Sequence, residues 1–327
     1  MLPASTRPRL APIQRLGSAH AAGLVEGIDW VTPIDRSRWF LCETLTPLYY
    51  TRVYGQLSLE HRRRYNQLTG MFANELIAFL EREFLDAVLN AVRSGAPKTD
   101  EWAALSDAVA EFRIEEQRHL VLWRRLNRLS DPERYRQTDR VFLRVPAALA
   151  TLSRLAARHP GALPVVFWIQ LIQEERSVEI SRRCAQVPAD RIEPRYAAIY
   201  RAHLRDEIRH VRIDCHLIER FYATRPAAVR WMSAVVLRRL LAAAFLAPGR
   251  STTQVIAALT HEHPELRLLL PRFRRELRGV SLNPEYQRMM YSRETTPITF
   301  ALFDRFPEFA RMQAVLRAYT PAFGRRT

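Results

Sequence analysis

Glycine is scarce, with 10 in 327 residues, and no G-x-G-x-x-G or G-x-x-x-x-G-K run occurs. Folds that cradle phosphates on glycine-rich loops therefore lose their main sequence support, and a β-rich chain with many tight turns is disfavoured. Cysteine is scarcer still: Cys42, Cys184 and Cys215 are odd in number and widely spaced. That argues against a disulfide framework or a zinc ribbon and for a reducing compartment, so a cytoplasmic location is expected. The N-terminal stretch has no continuous apolar segment of the signal-peptide kind. The longest apolar run, from Trp231, is split by Arg238 and Arg239, and reads as too short and too charged to span a bilayer. Lysine is nearly missing. Lys98 is the only one, so almost all of the formal charge of +16 is arginine. Such a charge suits nucleic acid or an anionic membrane, but the arginines are scattered through apolar segments and no nucleic-acid motif accompanies them. Neither nucleic acid nor membrane is expected as a partner.

What is present is long-range helical periodicity. The apolar fraction is 48% and the charged fraction 26%, a globular balance. Residues 1–28 read as a flexible lead-in, 29–225 as a helical bundle and 226–327 as a helical extension packed on it, one domain overall. Arg38–Gly55 reads as an aromatic-rich helix. A long helical stretch follows Ser58 and stops at Ser94-Gly95. Another runs from a Thr99-Asp100 cap to Ser130. Two more cover Leu163–Cys184 and Pro194–Tyr222. Four long helices with apolar faces predict an all-α, four-helix-bundle fold with additional C-terminal helices.

The chemistry-bearing residues lie on these helices. Glu116-x-x-His119 and Glu207-x-x-His210 each place a carboxylate and an imidazole on one helix face. Two such pairs, with one glutamate from each of two further helices, are the ligand pattern of the dinuclear metal site in ferritin-like bundles. Both pairs sit in apolar stripes, such as Phe112, Glu116, His119, Trp123, which a solvated face would not show. Glu75 lies in the stripe Leu68, Met71, Phe72, Glu75, Leu76, Phe79. Buried there, it needs a metal or an arginine partner. On the third long helix Glu175 best continues the face set by Trp168, Leu171 and Ile172. Glu174 is an open alternative, and Glu179 a poorer one. His203, four residues before Glu207, is an additional imidazole, either a third nitrogen ligand or a core histidine beneath the site. Asp214, one turn past His210, is either an acceptor that orients a ligating imidazole or a plain ion-paired acid. Four glutamates would balance two divalent ions.

The set Glu75, Glu116-x-x-His119, a glutamate on the third helix and His203-x-x-x-Glu207-x-x-His210, with the run HLRDEIRH, resembles the p-aminobenzoate N-oxygenase family of diiron oxygenases over about residues 35–222. The resemblance implies a metal set of Glu75, Glu116, His119, Glu175, His203, Glu207 and His210. It also implies two iron ions, O2 as co-substrate, oxidation of an amine nitrogen, commonly of an arylamine in specialised metabolism, and commonly a homodimer. Manganese suits the same ligand types. With no flavin or nicotinamide motif in the sequence, an external reductase or reductant is expected. One feature departs from an aminobenzoate-binding pattern: upstream of Glu75 no arginine occurs before Arg64, and Gly70 and Ala73 suggest extra room near the metals. Carbon hydroxylation or desaturation at the same metals is one rival reading. A non-catalytic basic nucleic-acid-binding protein is another.

Overall fold

The structure is a computed structural model that describes residues 27–94, 100–145, 147–158, 163–246 and 249–321. The lead-in expected over 1–28 falls outside the described residues except for its last two. Helix α1 (Leu59–Phe79) starts at Ser58, whose hydroxyl accepts the His61 N–H at 3.2 Å. It continues through a π turn at Leu80–Leu85 into α2 (Asp86–Ser94). Then come α3 (Asp100–Ser130), α4 (Ala147–Arg158), α5 (Val165–Ala185) and α6 (Pro194–Phe221). The Glu193 carboxylate accepts the first free amides of α6, from Arg195 and Tyr196, and Pro194 opens the helix with its preset φ.

Four of these helices make the bundle. Along α1 the apolar core residues 65–77 belong to one cluster and those from Phe79 onward to the other; along α6 the order is the same, from Tyr196 to Tyr222. Along α3 and α5 the order is reversed. So α1 and α6 run against α3 and α5. Because α3 and α5 point the same way, residues 131–164 must cross the length of the bundle between them, the one long crossover of a ferritin-like topology. On each helix the change of cluster coincides with the acids and histidines, so a polar layer cuts the core in two.

Arg38–Gly55 is not the helix its composition suggests. It forms three short 3-10 turns, at Glu43–Leu45, Pro47–Tyr50 and Arg52–Gln56. Thr46 and Thr51 are extended between them, and each hydroxyl donates to the carbonyl three residues back, at 2.9 and 2.6 Å. Pro47 and the β-branched threonines favour these local bonds over a continuous helix. Among the described residues there is no strand, only one parallel bridge between Trp39 and Ile192.

After α6 come α7 (Ala227–Leu240), a π turn at Leu241–Phe245, α8 (Arg250–Glu262), α9 (Leu270–Val280), α10 (Pro284–Met290) and α11 (Pro297–Phe303). A 3-10 segment, Pro307–Ala314, ends the ordered elements. By length and composition Ala227–Glu262, which contains the run from Trp231, reaches what a membrane crossing needs, so that run is not too short or too charged as expected. Here both halves bury apolar side chains in the core, among them Leu237, Leu241, Val255 and Leu259. Trp168 of α5 gathers Phe303, Phe306 and Phe309 around its ring at 4.5–6.0 Å, which fixes the C-terminal segment to the bundle.

Gly70 does not open space near the polar layer. A Cβ there would stand 2.9 Å from the Cβ of Phe40, so its missing side chain lets the Phe40-Leu41 segment lie against α1. Gly70→Ala is expected to lower unfolding stability by about 1–3 kcal/mol through overpacking, read from chemical denaturation. An unchanged midpoint would mean the segment moves away freely.

Candidate metal centre

Two groups of donors face each other inside the bundle. Glu81, His119, His203 and Glu207 form one; Glu116, Glu174, Glu207 and His210 form the other, with every atom of a group within 4.8 Å of its fellows. Glu207 belongs to both, the position of a bridging carboxylate. All seven residues are buried, none more than 4% exposed. His203 Nε2 lies 2.8 Å from Glu207 Oε1 and 3.3 Å from Glu81 Oε1. His210 Nδ1 lies 2.9 Å from Glu116 Oε1, 3.5 Å from Glu207 Oε1 and 3.7 Å from Glu174 Oε2. His119 Nδ1 lies 3.7 Å from both Glu81 and Glu207.

The other nitrogen of each imidazole is tied outward. His119 Nε2 is 3.1 Å from Asp206 Oδ2, and His210 Nε2 is 2.9 Å from Glu115 Oε2, each carboxylate accepting the ring N–H. His203 Nδ1 meets the Ser181 hydroxyl at 3.1 Å. Arg209 in turn pairs with Glu115 and Asp206. These contacts fix the ring orientations and leave the inner nitrogens to the centre. The inner atoms crowd against one another without hydrogen bonds: both oxygens of Glu116 and Glu207, Oε2 of Glu81 and Nδ1 of His119 and His210 make none. Buried polar groups are rarely left so. The residues present fit two cations.

Electrostatics agree. Burial, then repulsion from Glu81, pushes the Glu116 carboxyl up to about 7, and burial beside Glu207 raises Glu174 strongly. Burial would raise Glu207 as well, but the His203 and His210 imidazoles hold it well below the usual range. Burial would lower His203, yet Glu207 and Glu81 bring it up to about 10. Without metal, Glu116, Glu174 and His203 are therefore biased towards their protonated forms.

Two expected ligands are elsewhere. Glu75 is buried, as its stripe implies, but neither a metal nor an arginine satisfies it. It accepts the Tyr135 hydroxyl at 2.6 Å and the backbone amides of Val141, Phe142 and Leu143 at 2.7–3.2 Å. Three consecutive amides form a nest for its charge. The carboxylate on this helix that reaches the centre is Glu81, six residues on. In a regular helix it would point about 120° away from Glu75; the π turn at Leu80–Leu85 re-aims it. Glu175 is likewise not in the centre. It accepts the first amides of α11, from Ile298 at 2.6 Å and Thr299 at 2.8 Å, and Glu174 takes the inward place. Asp214 is buried and accepts Gln170 Nε2 at 2.5 Å, while Glu115 orients His210. Glu179 is paired with Arg182 and Arg183. Glu81, Glu115 and Asp206 escaped the sequence reading. Glu115 and Asp206 each precede a Glu of the two Glu-x-x-His pairs, a repeated acidic neighbour that could have flagged them.

Glu75→Ala should keep full metal content and lose about 2–4 kcal/mol of stability, since four donors lose a buried acceptor. Glu81→Ala should do the reverse, losing metal while the metal-free protein stays folded. Elemental analysis beside denaturation separates the two, and the opposite pairing would restore Glu75 to the centre. Asp206→Ala should weaken metal binding about 10–100-fold. Metal uptake in weak buffer should release protons, seen with a pH indicator, because cations replace them in the layer.

The family model described as P-aminobenzoate N-oxygenase AurF matches residues 11–263, which takes in α1 to α8 and so reaches beyond the four-helix core. No curated protein matches the chain. With its all-α ferritin-like bundle and buried glutamate and histidine groups able to bind metal, the chain belongs to the p-aminobenzoate N-oxygenase AurF family, a family of oxygenases.

Proposed function

We propose that the chain is a non-haem diiron oxygenase that inserts an oxygen atom from O2 at the nitrogen of an amine, with arylamines as the preferred class. The balance is R–NH2 + O2 + 2 e− + 2 H+ giving R–NHOH + H2O, and further rounds lead to nitroso and nitro products. The observation that carries the reading is the set of orphaned inner donors, from the π turn after α1 and from α3 and α6, around a shared Glu207. Glu81, His119 and His203 would hold one iron and Glu116, Glu174 and His210 the other, with Glu207 common to both. Two ferrous ions supply a binding place for O2 and electrons for its reduction.

The surrounding residues keep this layer dry and fixed. Phe112 stacks on His210 at 3.7 Å between ring centroids, and Trp123 packs edge-on to His203 at 5.0 Å. Asp206, Glu115 and Ser181 hold the three imidazoles in one tautomer and orientation, so no reorientation is needed when charge changes at the centre. A benzoate clamp from Arg64 is not part of the proposal: its guanidinium pairs with Glu262 at 2.5 Å and Asp131 at 3.4 Å. The electrons come from an external reductase or small reductant. The proposal also includes an intracellular, homodimeric protein acting in specialised metabolism.

Iron-loaded protein given reductant, isotopically labelled O2 and a panel of arylamines should yield labelled hydroxylamine or nitroso products by mass spectrometry. Glu207→Ala should lower turnover more than about a hundredfold, since it removes the donor common to both groups. Label on a ring carbon, with nitrogen untouched, would move the protein to the carbon-hydroxylation reading.

A further inference from the structure

A second constellation of metal donors lies outside the bundle core, where the start of α1 meets the end of α8. His61, His263 and Glu265 each present one donor atom, all within 4.8 Å of one another. His61 Nε2 is 2.9 Å and His263 Nδ1 3.5 Å from the same oxygen, Glu265 Oε1. A tetrahedral ion with donors at about 2.0–2.1 Å holds them about 3.3 Å apart, and the two observed separations bracket that value.

The site is built rather than fortuitously crowded. The two imidazole side chains are only 17% and 18% exposed and pack edge-on with centroids 4.7 Å apart, so their nitrogens are presented with little freedom. His263 leads into the 3-10 segment Pro264–Leu269, which carries Glu265, and the Leu266 amide donates to the His263 carbonyl at 3.0 Å. The Glu265 side chain is 58% exposed, which leaves an open side for solvent or a further ligand. The nearby guanidiniums of Arg64 and Arg134 would repel a cation if free, but both are engaged by Glu262 and Asp131.

We propose that His61, His263 and Glu265 form a surface site for a single divalent transition metal, with zinc as the best match to two imidazoles and one carboxylate. A bound ion would clip the first turn of α1 to the end of α8, two elements some two hundred residues apart in sequence. The site is separate from the buried centre and from the proposed oxygenase reaction.

The test is equilibrium dialysis of iron-loaded, full-length protein against micromolar zinc, with both metals counted by mass spectrometry. The expected result is about one zinc per chain in the wild type. A His61→Ala/His263→Ala double variant should lose that zinc, binding at least tenfold more weakly, with its iron count unchanged. Zinc should also raise the melting temperature of the wild type but not of the double variant. No zinc at these concentrations, or equal zinc in the double variant, would overturn the proposal. So would zinc taken up only as iron is displaced. Failure of the buried centre to hold iron would leave the zinc comparison intact, so the two readings fail separately.

Discussion

The structure depends on a layer of four carboxylates and three imidazoles taken out of water at the middle of the bundle. Each buried ionic group costs several kcal/mol unless something compensates it. Within the protein the compensation is partial: Glu207 leans on His203 and His210, while Glu116 and Glu174 are driven towards their neutral forms. Four carboxylates and two divalent cations sum to zero, with the imidazoles free to stay neutral. Two cations, which the donors fit, would supply that counter-charge between the apolar clusters on either side.

Much of the remaining architecture follows from presenting this layer. The acids and histidines sit where each helix passes from one apolar cluster to the other, so antiparallel pairing brings them level. The π turn in α1 turns Glu81 inward. Residues outside the layer lock it from behind. Asp206, Glu115 and Ser181 hold the imidazoles, Glu75 pins the loop at 141–143, and Glu175 caps α11 and so holds the C-terminal segment against α5. Neighbouring acids on one helix thus do different work, Glu174 facing the centre and Glu175 the lid of later helices.

The four long helices, the two Glu-x-x-His pairs and the extra His203 were legible in the sequence because periodicity and face assignment are local properties of a regular helix. The failures have equally local causes. Glu75 satisfied the burial argument, but a buried carboxylate can be compensated by backbone amides of a distant loop, which no helical wheel reveals. Glu81 was hidden because the wheel assumes 100° per residue and the π turn breaks that count. Glu174 and Glu175 could not be separated because α5 is buried all round: Val165, Val166, Phe167, Trp168, Ile169, Leu171 and Ile172 are all nearly inaccessible, so hydrophobicity names no inward face. The segment Arg38–Gly55 has helix-like apolar spacing but resolves into 3-10 turns because Thr46, Pro47 and Thr51 prefer local bonds.

A crystal structure of the iron-loaded protein with anomalous scattering at the iron edge tests the central claim most directly. The account predicts two iron peaks per chain in the polar layer, one bound by Glu81, His119 and His203, the other by Glu116, Glu174 and His210, with Glu207 between them. Glu75 and Glu175 should remain on their backbone amides. A single peak, a pair bound through Glu75, or no ordered iron in the layer would contradict it.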